Sequence, residues 1–108
     1  MTMLDKVVRT LEDSNPDALL ADDIEDALIG VAVVLTNGKR QHLAAYSMQK
    51  VIEVFMRDRD MSYEEAYEYA SINTFSANVG ENTPIYIDEL REVNVLARPL
   101  TPEEMYEF

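Results

Sequence analysis

The chain predicts an α+β fold: a small antiparallel sheet, made of a hairpin plus a later strand, packed against two antiparallel helices, with an N-terminal helix before them. Three observations carry that reading. Asn37-Gly38 separates two apolar runs rich in β-formers, the strongest short-range hairpin signal. Two segments with apolar residues at helical spacing follow, each opened by a serine in capping position. A short apolar run, Ile85-Tyr86-Ile87, comes later, entered through Pro84, where a strand tolerates a missing N–H.

In chain order, Leu4, Val7, Val8 and Leu11 fall at i, i+3, i+4 and i+7, an amphipathic helix over residues 3–12 with Thr2 as its N-cap. Ser14-Asn15-Pro16-Asp17 breaks it, and Asp17 is placed to cap a short turn through Leu19 and Leu20. The hairpin occupies residues 28–46, and its near-continuously apolar first strand suits burial on both faces or a central place in the sheet. Ile24, Ala27, Leu28, Val31 and Leu35 also fit a period of 3.6, so a helix over 24–35 is the competing reading.

Ser47 caps the next helix, at residues 47–58, with Met48, Val51, Ile52, Phe55 and Met56 on one face. Arg57-Asp58-Arg59-Asp60 is the polar link to a helix over 62–77. Ser62 and Glu65 form a capping box there, and Glu64, Glu65 and Glu68 lie near the positive end of the helix dipole. Ala66, Ala70, Asn73 and Ala77 share a face flanked by Tyr63, Tyr67 and Tyr69, a small-residue stripe that permits close backbone approach. Gly80 supplies the permissive backbone to leave the helix, and a strand over 84–88 joins the sheet. Val93–Leu96 reads as a further strand, and Thr101 with Pro102 opens a short terminal helix.

A hydrophobic content of 47% supports a real core, and the length suits one domain over 1–108. Within it, 1–23 hold the first helix and an acidic segment, 24–88 the core, and 89–108 a tail. The absence of cysteine removes disulfides, thiol catalysis and sulfur-ligated zinc. The N-terminus lacks a signal-peptide pattern, and the apolar run from Ala27 to Leu35 is far short of a membrane span. A cytoplasmic protein without a membrane partner is the expectation. Charge is the strongest compositional fact: 21 acids against 9 bases, a net −12. Direct nucleic-acid binding is disfavoured, because phosphate contacts need Lys and Arg. Such a balance favours solubility or basic partners. Adaptation to high salt is a third explanation, and the scarcity of lysine fits it: only Lys6, Lys39 and Lys50 occur.

From Glu12 to Asp26 there are seven acids and no base. Asp17, Asp22, Asp23, Glu25 and Asp26 are therefore the candidate partner-binding residues. As a Mg²⁺ or Ca²⁺ site this run lacks the alternating acids and central glycine of an EF-hand loop, so no metal is expected. His42, the one histidine, has no recognisable nucleophile beside it and reads as a solvated strand residue. No catalytic residue, cofactor or enzyme activity is expected. Asn73, amid alanines, reads as a buried amide bonded to the backbone of the Val79–Thr83 turn. With Gly80, Glu81, Asn82 and Thr83 it forms a structural turn or an alternative ligand site; without lysine, that turn is no phosphate loop.

The runs Ala27-Leu28-Ile29-Gly30-Val31-Ala32, Ala44-Ala45-Tyr46 with Lys50-Val51-Ile52-Glu53-Val54-Phe55-Met56, Met61-Ser62-Tyr63-Glu64-Glu65-Ala66 and Ala77-Asn78-Val79-Gly80-Glu81-Asn82-Thr83-Pro84-Ile85 carry a resemblance. Over residues 24–88 the chain resembles a family of small proteins widespread in tailed bacteriophages. Members commonly have glycine where Asp60 or Ser76 stands and an aromatic where Asn78 stands. The resemblance implies a viral origin and a compact α+β fold, and names no reaction. Joined to the charge, it leads to the expectation of a phage-encoded acidic interaction protein in the host cytoplasm. Such a protein inhibits a host defence or nucleic-acid enzyme by occupying its basic groove in imitation of DNA or RNA. The expected partner is a basic host protein, with a homodimer left open. The alternative is an accessory protein that binds a small metabolite or nucleotide at the Gly80–Thr83 turn and the tyrosine rim.

Overall fold

The computed structural model describes residues 1–90, so the strand at Val93–Leu96 and the helix opened by Thr101 lie outside the described residues. The elements run α1 (Met3–Ser14), a 3-10 turn (Glu25–Ala27), β1 (Leu28–Thr36), β2 (Lys39–Ser47), α2 (Met48–Arg59), α3 (Tyr63–Ala70), a π turn (Ser71–Phe75) and β3 (Ile85–Ile87). Each helix start follows from its cap. Thr2 and Asp5 exchange side chain and backbone bonds of 3.1 Å each, a capping box in which Asp5 plays the part of the usual Glu. Ser47 Oγ accepts the Lys50 N–H at 3.3 Å. Ser62 and Glu65 close the box that the sequence predicts, at 3.2 and 3.1 Å. The Ser62 N–H holds the Glu65 carboxyl below its ordinary pKa.

Asn37 and Gly38 both take positive φ, 51° and 78°, as a two-residue turn matched to strand twist requires. The hairpin pairs Thr36 with Lys39 at its tip and Leu28 with Tyr46 at its base, with a register shift between Leu28 and Gly30. Of the competing helix over 24–35, only the 3-10 turn Glu25–Ala27 forms. Strand alternation sends Leu28, Val31, Ala44 and Tyr46 into the core shared with the helices, and Ala32, Leu43 and Ala45 to the opposite face. The core is completed by Val7 and Leu11 of α1, Val51, Ile52, Val54 and Phe55 of α2, and Ala66 and Ala70 of α3.

The third strand corrects the antiparallel expectation. β3 lies parallel to β2, with Ala45 opposite Ile85, Tyr46 opposite Tyr86 and Ser47 opposite Ile87, in a mixed sheet of order β1-β2-β3. The reason lies in residues 76–84, which can reach about 30 Å when extended. They return the chain to the start of β2 before any pairing begins. Asn82 already sits beside Gln41, at 2.7 Å, and β3 then advances alongside residues 45–47. The α-helix of residues 62–77 is also shorter than predicted: it is regular to Ala70 and then widens into the π turn. Ala66 and Ala70 are fully buried, as the small-residue stripe requires, but Asn73 and Ala77 are exposed. Asp60 takes the left-handed conformation (φ 52°) that ends α2.

Tyr46 sits at the centre, 1% exposed. Its hydroxyl accepts the Ala21 N–H at 2.9 Å, and its ring stacks on Tyr86 at 5.7 Å. Tyr86 in turn meets Phe75 at 5.4 Å. Burial pushes both phenols above their ordinary pKa; for Tyr46 the Ala21 N–H opposes this, while Glu25 and Asp22 add to it. A raised phenol pKa in the native state means stability is full below the unfolded value and is lost as pH rises through the native one. Urea midpoints should therefore fall as pH climbs above about 10. Tyr86→Phe should lessen that fall. Tyr46→Phe, which orphans the Ala21 N–H, should cost about 1–2 kcal/mol at neutral pH. Midpoints that stay level well above that pH would contradict this account.

Candidate functional site

The acidic segment between α1 and β1 is anchored by its apolar members. Ile24 is 3% exposed and Ala27 fully buried, so the intervening side chains must face solvent. Asp17, Asp22, Asp23, Glu25 and Asp26 are all exposed. Asp22, Asp23, Glu25 and Asp26 form one ridge around Ile24, with Asp23 at φ 65°, which aspartate tolerates better than most residues. Asp17 precedes them in a turn closed by the Ala18 N–H on the Asn15 carbonyl at 3.0 Å, and the short turn expected through Leu19 and Leu20 does not form.

Among the described residues, one acid of the ridge has its cation. Arg57 Nη1 donates to Asp26 Oδ2 at 2.8 Å, and its Nε and Nη2 hold Asp58 at 2.7 and 3.1 Å. These bonds, Asp58's first, raise the arginine pKa, and Arg57 lowers that of Asp58. All three side chains are exposed, so the cluster adds little stability. Arg59 lies over the rings of Tyr69 and Phe55, at 4.8 and 5.6 Å. The groove on this side, floored by Val54 and Phe55, thus mixes Asp23, Glu25, Asp26 and Asp58 with Arg57 and Arg59. Sequence reasoning took Arg57 for linker. The spacing of 31 residues to Asp26 has no periodic signature.

The Asn73 expectation is corrected. Asn73 is exposed, and its Nδ2 donates back to the Tyr69 carbonyl at 3.0 Å, within its own helical run. The helix loosens into the π turn before reaching residue 73's predicted core position, which turns the amide outward. The 78–83 turn closes on itself instead. Asn78 Oδ1 accepts the Gly80 N–H and Thr83 Oγ1 accepts the Val79 N–H, both at 3.0 Å, while Gly80 takes φ 110°. The amide that joins distant parts of the chain is Asn82. Its Oδ1 accepts from Gln41 at 2.7 Å and from Asn15 at 3.0 Å, and its carbonyl accepts the Leu19 N–H at 3.1 Å. Asn15 Nδ2 also donates to the His42 carbonyl at 2.8 Å. His42 itself is half-buried rather than solvated.

Of the five residues proposed as an alternative ligand site, Asn73 and Thr83 line a common cleft, and Gly80, Glu81 and Asn82 do not. That cleft, of about 310 Å³, lies between residues 19–24 and residues 73–86, over Phe55. Tyr86 lines it, but Tyr63 and Tyr67 stack on each other elsewhere, exposed, at 6.4 Å, so the tyrosine rim is not assembled. Among the described residues no three His, Cys, Asp or Glu are grouped to hold a metal ion, and no helix is long and apolar enough to cross a membrane. Compared with protein-family models, curated proteins and solved structures, the chain matches none of them.

The two amides separate the predicted site from the observed one. Asn82→Ala removes an acceptor from two half-buried amides and should cost about 1–3 kcal/mol, with faster exchange of the Leu19 N–H. Asn73→Leu should stay within about 0.5 kcal/mol of wild type, as exposed substitutions do. The reverse order in denaturant melts would restore Asn73 as the holder of the turn.

Proposed function

We propose that this is an acidic interaction protein that engages a basic partner through the ridge of Asp22, Asp23, Glu25 and Asp26, with Asp17 beside it. The observation that carries this reading is that four carboxylates stand exposed on a five-residue segment fixed by buried Ile24 and Ala27. A rigid display matters because it leaves little side-chain and loop ordering to be lost on binding. Among the described residues only Asp26 has a cation at contact distance, Arg57. The remaining acids keep their field for an incoming partner, where complementary charge speeds encounter.

A basic groove built for nucleic acid is the partner surface that such a ridge fits, since a duplex offers it one charge per about 1.7 Å. The likeness to tailed-bacteriophage proteins points to a host defence or nucleic-acid enzyme as the owner of that groove, met in the host cytoplasm. The small-molecule reading is weaker, because the polar groups of the Gly80–Thr83 turn are spent on one another and on Asn15 and Gln41.

Replacing Asp17, Asp22 and Asp23 by Asn and Glu25 by Gln leaves the Asp26–Arg57 pair in place and removes self-repulsion, so the fold should survive intact. Capture of a basic nucleic-acid enzyme from host lysate at low salt should then be lost. Wild-type capture should weaken steeply with salt and be competed by duplex DNA. Capture by the neutralised variant equal to that by wild type would remove the proposal.

A further inference from the structure

The cleft beside the ridge has features that the acidic surface alone does not explain. Its walls are apolar, formed by Leu19, Leu20, Ile24, Phe55, Val79 and Tyr86. Three of these meet solvent at its mouth: Leu19 is 42% exposed, Leu20 39% and Val79 64%. Grouped apolar exposure rimmed by polar residues marks an interaction site more often than scattered exposure does. Among the described residues the lining includes no Lys, Arg or His, and its one charged member is Asp22, the first acid of the ridge. A phosphate or nucleotide would meet only repulsion there. At about 310 Å³ the cleft lies at the lower end of the roughly 300–1,000 Å³ of small-molecule pockets, suited to one large side chain.

A second feature is the backbone of the far wall. Asn73 and Thr74 line the cleft from the π turn Ser71–Phe75, a rare helical distortion that is frequent at functional sites. Asn73 Nδ2 is held by the Tyr69 carbonyl, and its Oδ1 takes no hydrogen bond among the described residues. That oxygen is an acceptor available to a peptide N–H at the cleft wall.

We propose that this cleft seats one large apolar side chain of a basic peptide segment, whose Lys and Arg residues meet Asp22 and its neighbours on the ridge. The proposal rests on the reading of the ridge as the partner-binding surface, and it adds the chemistry of the partner: cationic, with an apolar anchor. Charge complementarity selects this occupant, because the one charged group among the described residues lining the cleft is the Asp22 carboxylate, on a chain of net −12. One buried anchor framed by charges is the usual economy of an interface, where few residues carry most of the binding energy.

The chain contains no tryptophan, which supplies a clean readout. The probe is a short capped peptide of lysines and arginines around a single central tryptophan, with a second peptide carrying alanine there. Tryptophan emission should shift to the blue on mixing with the protein at low salt. The tryptophan peptide should bind about tenfold more tightly than the alanine one, the scale of one buried apolar side chain. Ala77→Leu, which fills the cleft, and Val79→Lys, which places a cation at its mouth, should each abolish the blue shift. Both positions are exposed, so both variants should melt as wild type does. A blue shift retained in both variants, or equal binding of the two peptides with full salt dependence, would overturn the cleft proposal and leave the acidic ridge standing. No binding of either peptide at low salt would overturn both.

Discussion

Tyr46 ties together more of this structure than any other side chain. It lies near the end of the central strand, and its burial requires contributions from every layer of the fold. Leu28 stands opposite it on β1, Tyr86 lies alongside it on β3, and α1 and α2 close over it with the same apolar cluster. A buried phenol needs a partner for its hydroxyl. The partner is the Ala21 N–H, in the very segment that carries the acids. The hydrogen bond and the burial of Ile24 together fix that segment at both ends of Asp22-Asp23. A core requirement thereby positions the acidic surface on which the proposed function rests.

The second constraint is the open edge of β2. β3 covers only residues 45–47, so among the described residues the start of β2 has no strand neighbour on that side. Buried or half-buried backbone groups must still be satisfied. Asn15 does this for the His42 carbonyl with its side-chain amide, and Asn82 Oδ1 in turn accepts from Asn15 and from the Gln41 side chain. The same Asn82 holds Leu19 through its backbone. One residue of an irregular loop therefore joins the side chains of Asn15 and Gln41 and holds Leu19, which lines the cleft.

Charge in this protein is not uniform. Arg57 divides its guanidinium between Asp26 and Asp58, and Arg59 covers two aromatic rings, so the groove on one side of the ridge sets two cations against its four acids. The cleft on the other side has no cation in its lining among the described residues. Phe55 floors both. The ridge consequently presents a partly compensated flank and an apolar one, and the proposed cationic, partly apolar partner would approach from the cleft side.

Much of this was legible because it is local. Caps depend on residues three apart, so Thr2, Ser47 and Ser62 announced their helices. Asn37-Gly38 specified its own turn through the positive φ that those residues accept. The spacing of Val7, Leu11, Val51, Ile52 and Phe55 marked the core faces, and the run of acids marked the exposed ridge. What the sequence did not reveal depends on partners far apart in the chain. Strand direction follows from where residues 76–84 deliver the chain, which no local period encodes. Asn73 fits the helical stripe on paper, but the π turn rotates it into water, and Asn82, outside any periodic segment, takes the joining role. Arg57 meets Asp26 across 31 residues, and the cleft exists only because segments around 20, 55 and 80 converge. Local chemistry determined the elements, whereas direction, pairing and the shape of the site came from long-range contacts that only the folded chain brings together.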